Sequence, residues 1–195
     1  MGKGNRKTVS TIIMVIFMAV IIVLFYFYSS KRLGPSGETS TENLSDIERL
    51  LAKDLDQNYP ETPREVVKLY SSMLKVLYTD ITDDQVKALA LKIRGLYDEE
   101  FLNNNPEEDY LKNLYSEIAT WKDANRKIVN YLLVEDKGQK KEVDGKQYAD
   151  VYVSYTFDEK GKFSEVWRFL LRRDENDKWK ILGWTYSPEA SETAK

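Results

Sequence analysis

The chain has 195 residues, with 29 Lys and Arg against 32 Asp and Glu, and it contains neither His nor Cys. That length is typical of one domain with an appendage. The missing cysteine excludes disulfides, thiol nucleophiles and thiolate metal sites, and the missing histidine excludes Ser-His-Asp chemistry and the commonest zinc ligand.

The charge is divided between a basic N-terminal segment and an acidic remainder. Residues 1–32 carry five basic side chains and no acidic one, whereas residues 33–195 carry 24 basic and 32 acidic side chains, a net charge of −8. An acidic domain of this kind is not expected to bind nucleic acid, which needs a basic surface.

The first predicted element is a transmembrane helix at residues 8–30, after a basic tail at residues 1–7. Ile12–Tyr28 is a run of 17 apolar residues, long enough for the hydrocarbon core of a bilayer. A cleavable signal peptide has a shorter core followed by small residues, where this chain has aromatic ones. N-myristoylation is not expected, because Arg6 stands where that motif has Ser or Thr. We therefore expect the lipid bilayer to be contacted through residues 8–30.

The basic residues around this segment predict its orientation. Lys3, Arg6 and Lys7 precede it, and Lys31 and Arg32 follow it. The positive-inside rule then favours a cytoplasmic N-terminus in the cell membrane and an extracytoplasmic C-terminal domain. Residues 31–43, rich in Gly, Ser and Thr, are predicted to be a flexible linker.

Residues 44–186 are predicted to form one α+β domain that begins with helices. Thr62 and Glu65 form a capping box around Pro63, and Thr82 begins a second capped helix. Apolar residues at helical spacing predict helices near 44–57, 63–77, 82–95, 98–102 and 106–121.

The periodicity then changes to that of an antiparallel sheet. Alternation in Tyr148–Phe157 and from Phe163 predicts a hairpin with one apolar inner face. Further strands are predicted at 128–134 and from Trp179. Helices followed by a meander indicate an α+β fold, and residues 187–195 are predicted to be a disordered tail.

The run from Tyr59 to Val67 and the stretch from Asp150 to Trp184 resemble the nuclear transport factor 2-like (cystatin-like, SnoaL-like) cone fold. The layout looks like an uncharacterised bacterial family of single-pass membrane proteins that carry such a domain. The resemblance covers roughly residues 44–186. It implies a curved antiparallel sheet that wraps a long helix and leaves a pocket between them. Some members of this fold are enzymes, and many only bind a ligand or a partner.

The resemblance leaves one weak catalytic candidate. Enzymatic members commonly use a His/Asp or Tyr/Asp pair in the pocket, and this chain has no histidine. Glu165 interrupts the apolar inner face between Phe163 and Trp167, and a carboxylate facing an apolar cavity is a candidate general acid or base. The favoured alternative is that Glu165 lies at the rim, paired with a Lys or Arg.

Aromatic residues predict a ligand pocket and an interface. Tyr70, Tyr131, Tyr155 and Trp167 are expected to line a pocket for a small apolar ligand, with plain core packing as the alternative.

Alternation sets Trp184 opposite Trp179 and Ile181, on the outer face of the sheet. With Tyr152 and Leu170, Trp184 is therefore expected to form an outer patch for a protein partner or a homodimer.

No cofactor, metal site or phosphate-binding glycine motif is predicted. Asp174 to Asp177 begins like a calcium loop, but Lys178 and Trp179 follow where the invariant Gly and later ligands belong. We therefore predict a membrane-anchored, extracytoplasmic, non-enzymatic binding or assembly module. The alternative is an isomerase- or hydrolase-like enzyme that uses carboxylate and tyrosine on a small apolar substrate.

Overall fold

The computed structural model describes residues 45–134 and 140–188. The predicted tail 1–7, transmembrane helix 8–30 and linker 31–43 lie outside the described residues, and so do residues 189–195 of the predicted C-terminal tail. Within 45–134 and 140–188, no helix has both the length and the apolar character needed to cross a bilayer.

The N-terminal half of the described chain is helical. Its helices are α1 (Asp46–Ala52), α2 (Pro63–Leu77), α3 (Asp83–Arg94), α4 (Glu99–Asn104) and α5 (Glu107–Asp123).

Capping boxes fix the starts of α2 and α3, as predicted. The Thr62 hydroxyl accepts a hydrogen bond from the Glu65 N–H at 3.2 Å, and the Glu65 carboxylate accepts one from the Thr62 N–H at 3.0 Å. Thr82 and Gln85 repeat this exchange at 3.3 and 3.0 Å. These bonds satisfy N–H groups that the first turn of a helix cannot pair internally.

Helix α1 is shorter than predicted, ending at Ala52 instead of near Gln57. The ammonium group of Lys92 donates hydrogen bonds to the carbonyl of Leu51, at 2.5 Å, and to that of Lys53. These carbonyls lie at the end of α1, where no further helical N–H groups are available to them. The Lys92 side chain therefore ties the end of α1 to α3.

The C-terminal half forms an antiparallel sheet. Its strands are β1 (Lys127–Leu133), β2 (Lys140–Val143), β3 (Lys146–Asp158), β4 (Lys162–Arg173) and β5 (Trp179–Tyr186). The order is β1-β3-β4-β5, and β2 pairs with the first part of β3. The predicted α+β class, with helices and a curved antiparallel sheet, is confirmed. Strand β2 was not predicted, because its four residues are all exposed and show no apolar alternation.

One face of β3 and β4 is buried, as alternation predicts. In β3 the buried residues are Ala149, Val151, Val153, Tyr155 and Phe157. Opposite them in β4, Glu165 pairs with Tyr155, Trp167 with Val153, and Phe169 with Val151. This inner face is covered by the helices and packs mainly on α2.

The face predicted for Trp184 is wrong, because β5 contains a β-bulge. Leu171 pairs with Ile181 while its neighbour Leu170 pairs with Gly183, so Leu182 is the extra residue. One extra residue reverses the alternation that follows it. Trp184 therefore lies beside Phe169 on the inner face, with their ring centroids 6.0 Å apart.

The core lies between α2 and the inner face of the sheet. Val66, Val67 and Met73 of α2 have no exposed surface, and neither has Val153 of β3. Burying a side chain of this size stabilises the fold by about 1.5–3 kcal/mol relative to leaving it exposed. Helix α2 is thus the central element on which the sheet packs.

The free edge of β5 is paired by the segment that joins α3 to α4. The Asp98 N–H donates to the Ile181 carbonyl at 2.8 Å, and the Ile181 N–H donates to the Leu96 carbonyl at 2.8 Å. Tyr97 makes the intervening parallel bridge with Ile181. Because this segment is held against the sheet, the side chain of Tyr97 is carried into the interior.

Candidate ligand-binding cavity

A cavity of about 450 Å³ lies between the inner face of the sheet and helices α2, α3 and α5. Of the eighteen described residues that line it, ten are aromatic, five are aliphatic and three are charged. We call this space the aromatic cavity. Its volume falls within the range of cavities that hold small molecules, and an apolar wall with few polar groups is typical of such sites.

Tyr70 of α2 brings the rings at one end of the aromatic cavity together. Its ring centroid lies 5.3 Å from that of Phe169 and 5.5 Å from that of Trp184. Tyr97 lies 5.8 Å from Trp184 and 6.2 Å from Tyr110 of α5. Tilted and edge-on contacts at these distances are favourable for aromatic pairs.

The phenols of this wall remain protonated at neutral pH. Burial raises the pKa of Tyr70 and Tyr97 well above the ordinary tyrosine value, and it also raises the pKa of Tyr110. Burial likewise raises the pKa of Tyr155, whose hydroxyl lies 2.6 Å from the Ser71 hydroxyl of α2. These groups are therefore neutral hydrogen-bonding groups and not bases.

Two carboxylates line the aromatic cavity. Glu165 of β4 is half-buried, and one of its oxygens accepts a hydrogen bond from the Trp167 indole N–H at 3.1 Å. Glu117 of α5 is exposed, so the aromatic cavity reaches solvent at this helix. Burial raises the pKa of Tyr78, and the neighbouring Glu117 charge raises it further.

The third charged residue, Arg126, lies between aromatic rings at the end of the aromatic cavity away from Tyr70. Its guanidinium carbon lies 4.6 Å from the ring centroid of Phe157 and 4.8 Å from that of Trp121. Its Nε lies 3.8 Å from a Glu159 oxygen and has no hydrogen-bond partner among the residues that the structure describes. The positive charge is thus compensated by ring faces and a nearby carboxylate, as in cation–π sites.

Most of the predicted pocket residues lie together. Tyr70, Tyr155 and Trp167 line the aromatic cavity, as does the weak catalytic candidate Glu165. Among the described residues Glu165 makes no salt bridge within 4.0 Å, so the expected pairing with a Lys or Arg is absent there.

Tyr131 lies elsewhere. Its hydroxyl is 2.6 Å from the Ser72 hydroxyl of α2, and it lines a separate surface groove beside α1. The reason is that α2 crosses the sheet, so that Ser71 meets Tyr155 on one side and Ser72 meets Tyr131 on the other. Tyr131 is therefore not a wall residue of the aromatic cavity.

The predicted interface residues are divided between the two faces of the sheet. Tyr152 and Leu170 lie on the outer face, half-buried, while the bulge in β5 turns Trp184 into the aromatic cavity. The interface role of Tyr152 and Leu170 stays a prediction.

Sequence reasoning missed several wall residues on the helices. Leu114, Glu117 and Trp121 of α5 all line the aromatic cavity. Their spacing of three and four residues puts them on one helical face, a signal that could have identified Glu117. Tyr97 and Arg126 lie between elements, where no periodicity predicts the direction of a side chain.

These features define an α+β protein with an open, aromatic-lined cavity between its sheet and its helices. The chain belongs to the family described as Domain of unknown function (DUF6715), whose model matches residues 1–184. No curated protein matches the chain.

Two solved structures show remote similarity. One is CagV, a VirB8 homolog of the T4SS from Helicobacter pylori strain 26695, with a TM-score of 0.39 and 9% identity over 63% of this chain and 97% of that chain. The other is the intermembrane space region of the chloroplast protein ARC6, with a TM-score of 0.31 and 13% identity over 65% of this chain and 98% of that chain.

Proposed function

We propose that this chain is a single-pass membrane protein whose extracytoplasmic domain is a non-enzymatic binding or assembly module with a nuclear transport factor 2-like cone. The aromatic cavity holds a small, largely apolar ligand. The observation that carries the proposal is the cavity itself, about 450 Å³ of open space lined mostly by aromatic rings.

The membrane anchor is supported by the sequence of residues 8–30. No charged side chain occurs across these 23 positions, and basic residues flank them on both sides. The net charge of −8 on residues 33–195 suits a domain that stays off the anionic cytoplasmic leaflet. The N-terminus is cytoplasmic and the described domain lies outside the cell membrane.

Binding is favoured over catalysis by the state of the polar groups in the wall. The raised pKa values of Tyr70 and Tyr97, which follow from burial, leave both phenols protonated. Glu165 accepts a hydrogen bond from the Trp167 indole. With no histidine or cysteine in the chain, the usual general base and the usual strong nucleophile are both missing.

The test is whether a small molecule leaves the membrane with the protein. The full chain, captured from native membranes in a non-ionic detergent, is extracted with solvent, and the extract is analysed by mass spectrometry. Leu74→Trp fills the aromatic cavity from α2 and should remove the bound molecule. Lys112→Trp adds the same ring to an exposed position of α5 outside the cavity, and should retain it.

A second variant, Leu114→Phe, fills the aromatic cavity from α5. It provides an independent test in case Leu74→Trp fails to fold. A molecule that is enriched in native chain and Lys112→Trp, and missing from both filled variants, supports the proposal. Identical extracts from all four proteins would contradict it.

A second candidate function is acid–base catalysis on a small apolar substrate. Its support is that Tyr155 and Glu165 are direct cross-strand partners and both line the aromatic cavity. To test this, a small-molecule extract is incubated with the native chain or with Glu165→Gln and analysed by mass spectrometry. The native chain should deplete one component of the extract, and Glu165→Gln should not. Equal composition after incubation with either protein excludes this candidate.

A homodimer through the outer face of the sheet is the proposed assembly state. Tyr152 and Leu170 lie on that face, and Leu132, on β1 opposite Ser154, is 63% exposed. Sedimentation of the full chain in detergent should show a dimer that Leu170→Glu dissociates. A native chain that sediments as a monomer at high concentration would contradict this.

A further inference from the structure

We propose that the ligand of the aromatic cavity is an organic monocation, an amine or quaternary ammonium group attached to an apolar body. This inference rests on the proposed binding function and adds the charge of the ligand to it. It follows from an unbalanced set of charges in an aromatic wall.

Within the described part of the chain, the wall has two acidic residues and one basic one. Glu117 and Glu165 face the space from α5 and β4, and Arg126 closes one end. The charged residues of the wall therefore sum to a net charge of −1. Glu117 is exposed to water and Glu165 is half-buried, so a ligand with a single positive charge would compensate the less solvated carboxylate.

The charge of Arg126 is already compensated without the two wall carboxylates. Its guanidinium lies over the Trp121 and Phe157 rings and also 5.5 Å from the ring centroid of Phe163. Its nearest carboxylate is that of Glu159, at 3.8 Å. Arg126 consequently leaves Glu117 and Glu165 without a counterion.

Neither wall carboxylate has another cation near it. In residues 45–134 and 140–188, no Lys or Arg nitrogen lies within 4.0 Å of a Glu117 or Glu165 oxygen. Glu165 is half-buried, and a partly desolvated carboxylate without a counterion is unfavourable, so a bound cation relieves that cost. Glu117 is exposed and adds a second negative charge where the cavity reaches solvent.

The rings beside these carboxylates add to the same preference. Tyr155, the cross-strand partner of Glu165, and Trp167, whose indole N–H donates to Glu165 at 3.1 Å, both line the aromatic cavity. Cations are attracted to aromatic faces, most strongly to Trp, when water is excluded. An anionic ligand would meet two like charges, and a neutral one would leave the half-buried Glu165 without a counterion.

The experiment compares three probes of similar shape and different charge. They are benzyltrimethylammonium, its neutral carbon isostere neopentylbenzene, and the anion 4-tert-butylbenzoate. Binding to the full chain in non-ionic detergent is followed through the indole N–H signals in NMR, with detergent partition measured without protein. Trp121, Trp167 and Trp184 line the aromatic cavity, while Trp179 is buried in the core outside it and is the internal reference.

The expected result is that the cation binds about tenfold tighter than the neutral isostere and moves the three cavity indoles but not Trp179. Glu165→Gln and Glu117→Gln should each lower the affinity for the cation several-fold and leave the affinity for the neutral probe unchanged. The control is Glu108→Gln, which removes an exposed carboxylate of α5 that does not line the aromatic cavity. It should change the affinity for neither probe.

Equal or tighter binding of the neutral isostere overturns the charge inference and leaves the binding function standing, because a probe still enters. Tighter binding of the anion also overturns it and indicates Arg126 as the anchor. A failure of all three probes to move the indoles overturns it too, and the binding function is then decided separately by the extracts of the filled variants.

Discussion

Asp98 is a buried carboxylate that joins the helices to the sheet. Its side chain is 4% exposed, and it accepts hydrogen bonds from Arg172 Nε at 3.0 Å and from Arg172 Nη2. The same carboxylate caps α4 by accepting the Glu100 N–H at 2.9 Å. The hydrogen bonds with Asp98 raise the pKa of Arg172, which keeps the guanidinium charged.

Asp98→Asn should lower the free energy of unfolding by about 3 kcal/mol, because it leaves the largely buried Arg172 guanidinium with Glu100 as its one charged partner among the described residues. Chemical denaturation of the full chain measures the change. The control is Asp177→Asn, which breaks an exposed pair with Arg173 and should cost less than about 1 kcal/mol. Equal losses in the two variants would show that Asp98 has no special role.

The buried phenols predict a loss of stability in alkali. Burial raises the pKa of Tyr70, Tyr97 and Tyr155, while tyrosines of the unfolded chain have a pKa of about 10. The stabilisation is complete below that pH. It falls as the pH rises further, because the unfolded chain releases protons that the native chain retains.

The free energy of unfolding should therefore decline above about pH 10, and tyrosinate absorbance from the buried phenols should appear only as the chain unfolds. Tyr70→Phe removes one of these phenols and should make the decline shallower. Ionisation of every tyrosine near its ordinary pKa in a chain that stays folded would contradict the burial of these side chains.

At the scale of elements, local signals predicted the starts of α2 and α3, whereas features that depend on distant segments were missed. The capping residues Thr62 and Thr82 lie within three residues of their partners, so the sequence alone identifies both helix starts. Strand β2 and the bulge at Leu182 depend on pairing with strands elsewhere in the chain. No local pattern marks them.

The aromatic cavity shows the same division. Tyr155, Glu165 and Trp167 could be predicted because strict alternation puts them on the inner face of one hairpin. Tyr131 could not, because its surroundings depend on where α2 crosses the sheet. Tyr97 is directed inward by a parallel bridge to Ile181, a contact between segments 84 residues apart.

The bulge predicts unequal costs for two truncations in neighbouring strands. Trp184→Ala should lower the free energy of unfolding by about 3 kcal/mol, because its ring packs on Tyr70, Tyr97 and Phe169. Leu170→Ala, on the outer face, should cost about 1 kcal/mol. Denaturation curves compare them. A larger loss at Leu170 would mean that alternation continues through Leu182 and that Trp184 faces outward.

At the scale of the whole molecule, the absence of cysteine allows the proposed topology to be tested with single introduced thiols. Gly4→Cys lies in the basic tail and Ser40→Cys in the linker, on opposite sides of residues 8–30. In intact cells a membrane-impermeant maleimide should label only Ser40→Cys, and lysis should expose Gly4→Cys. The unaltered chain is the zero-labelling control. The reverse pattern would place the described domain in the cytoplasm.

The central claim is that the aromatic cavity is occupied by a small molecule in the working protein. Native mass spectrometry of the full chain, released from membranes in non-ionic detergent, measures that occupancy directly. We expect one bound small molecule per chain, retained in Lys112→Trp and lost in Leu74→Trp and Leu114→Phe. A native chain detected only at the mass of the protein without ligand, as in the filled variants, would contradict the claim.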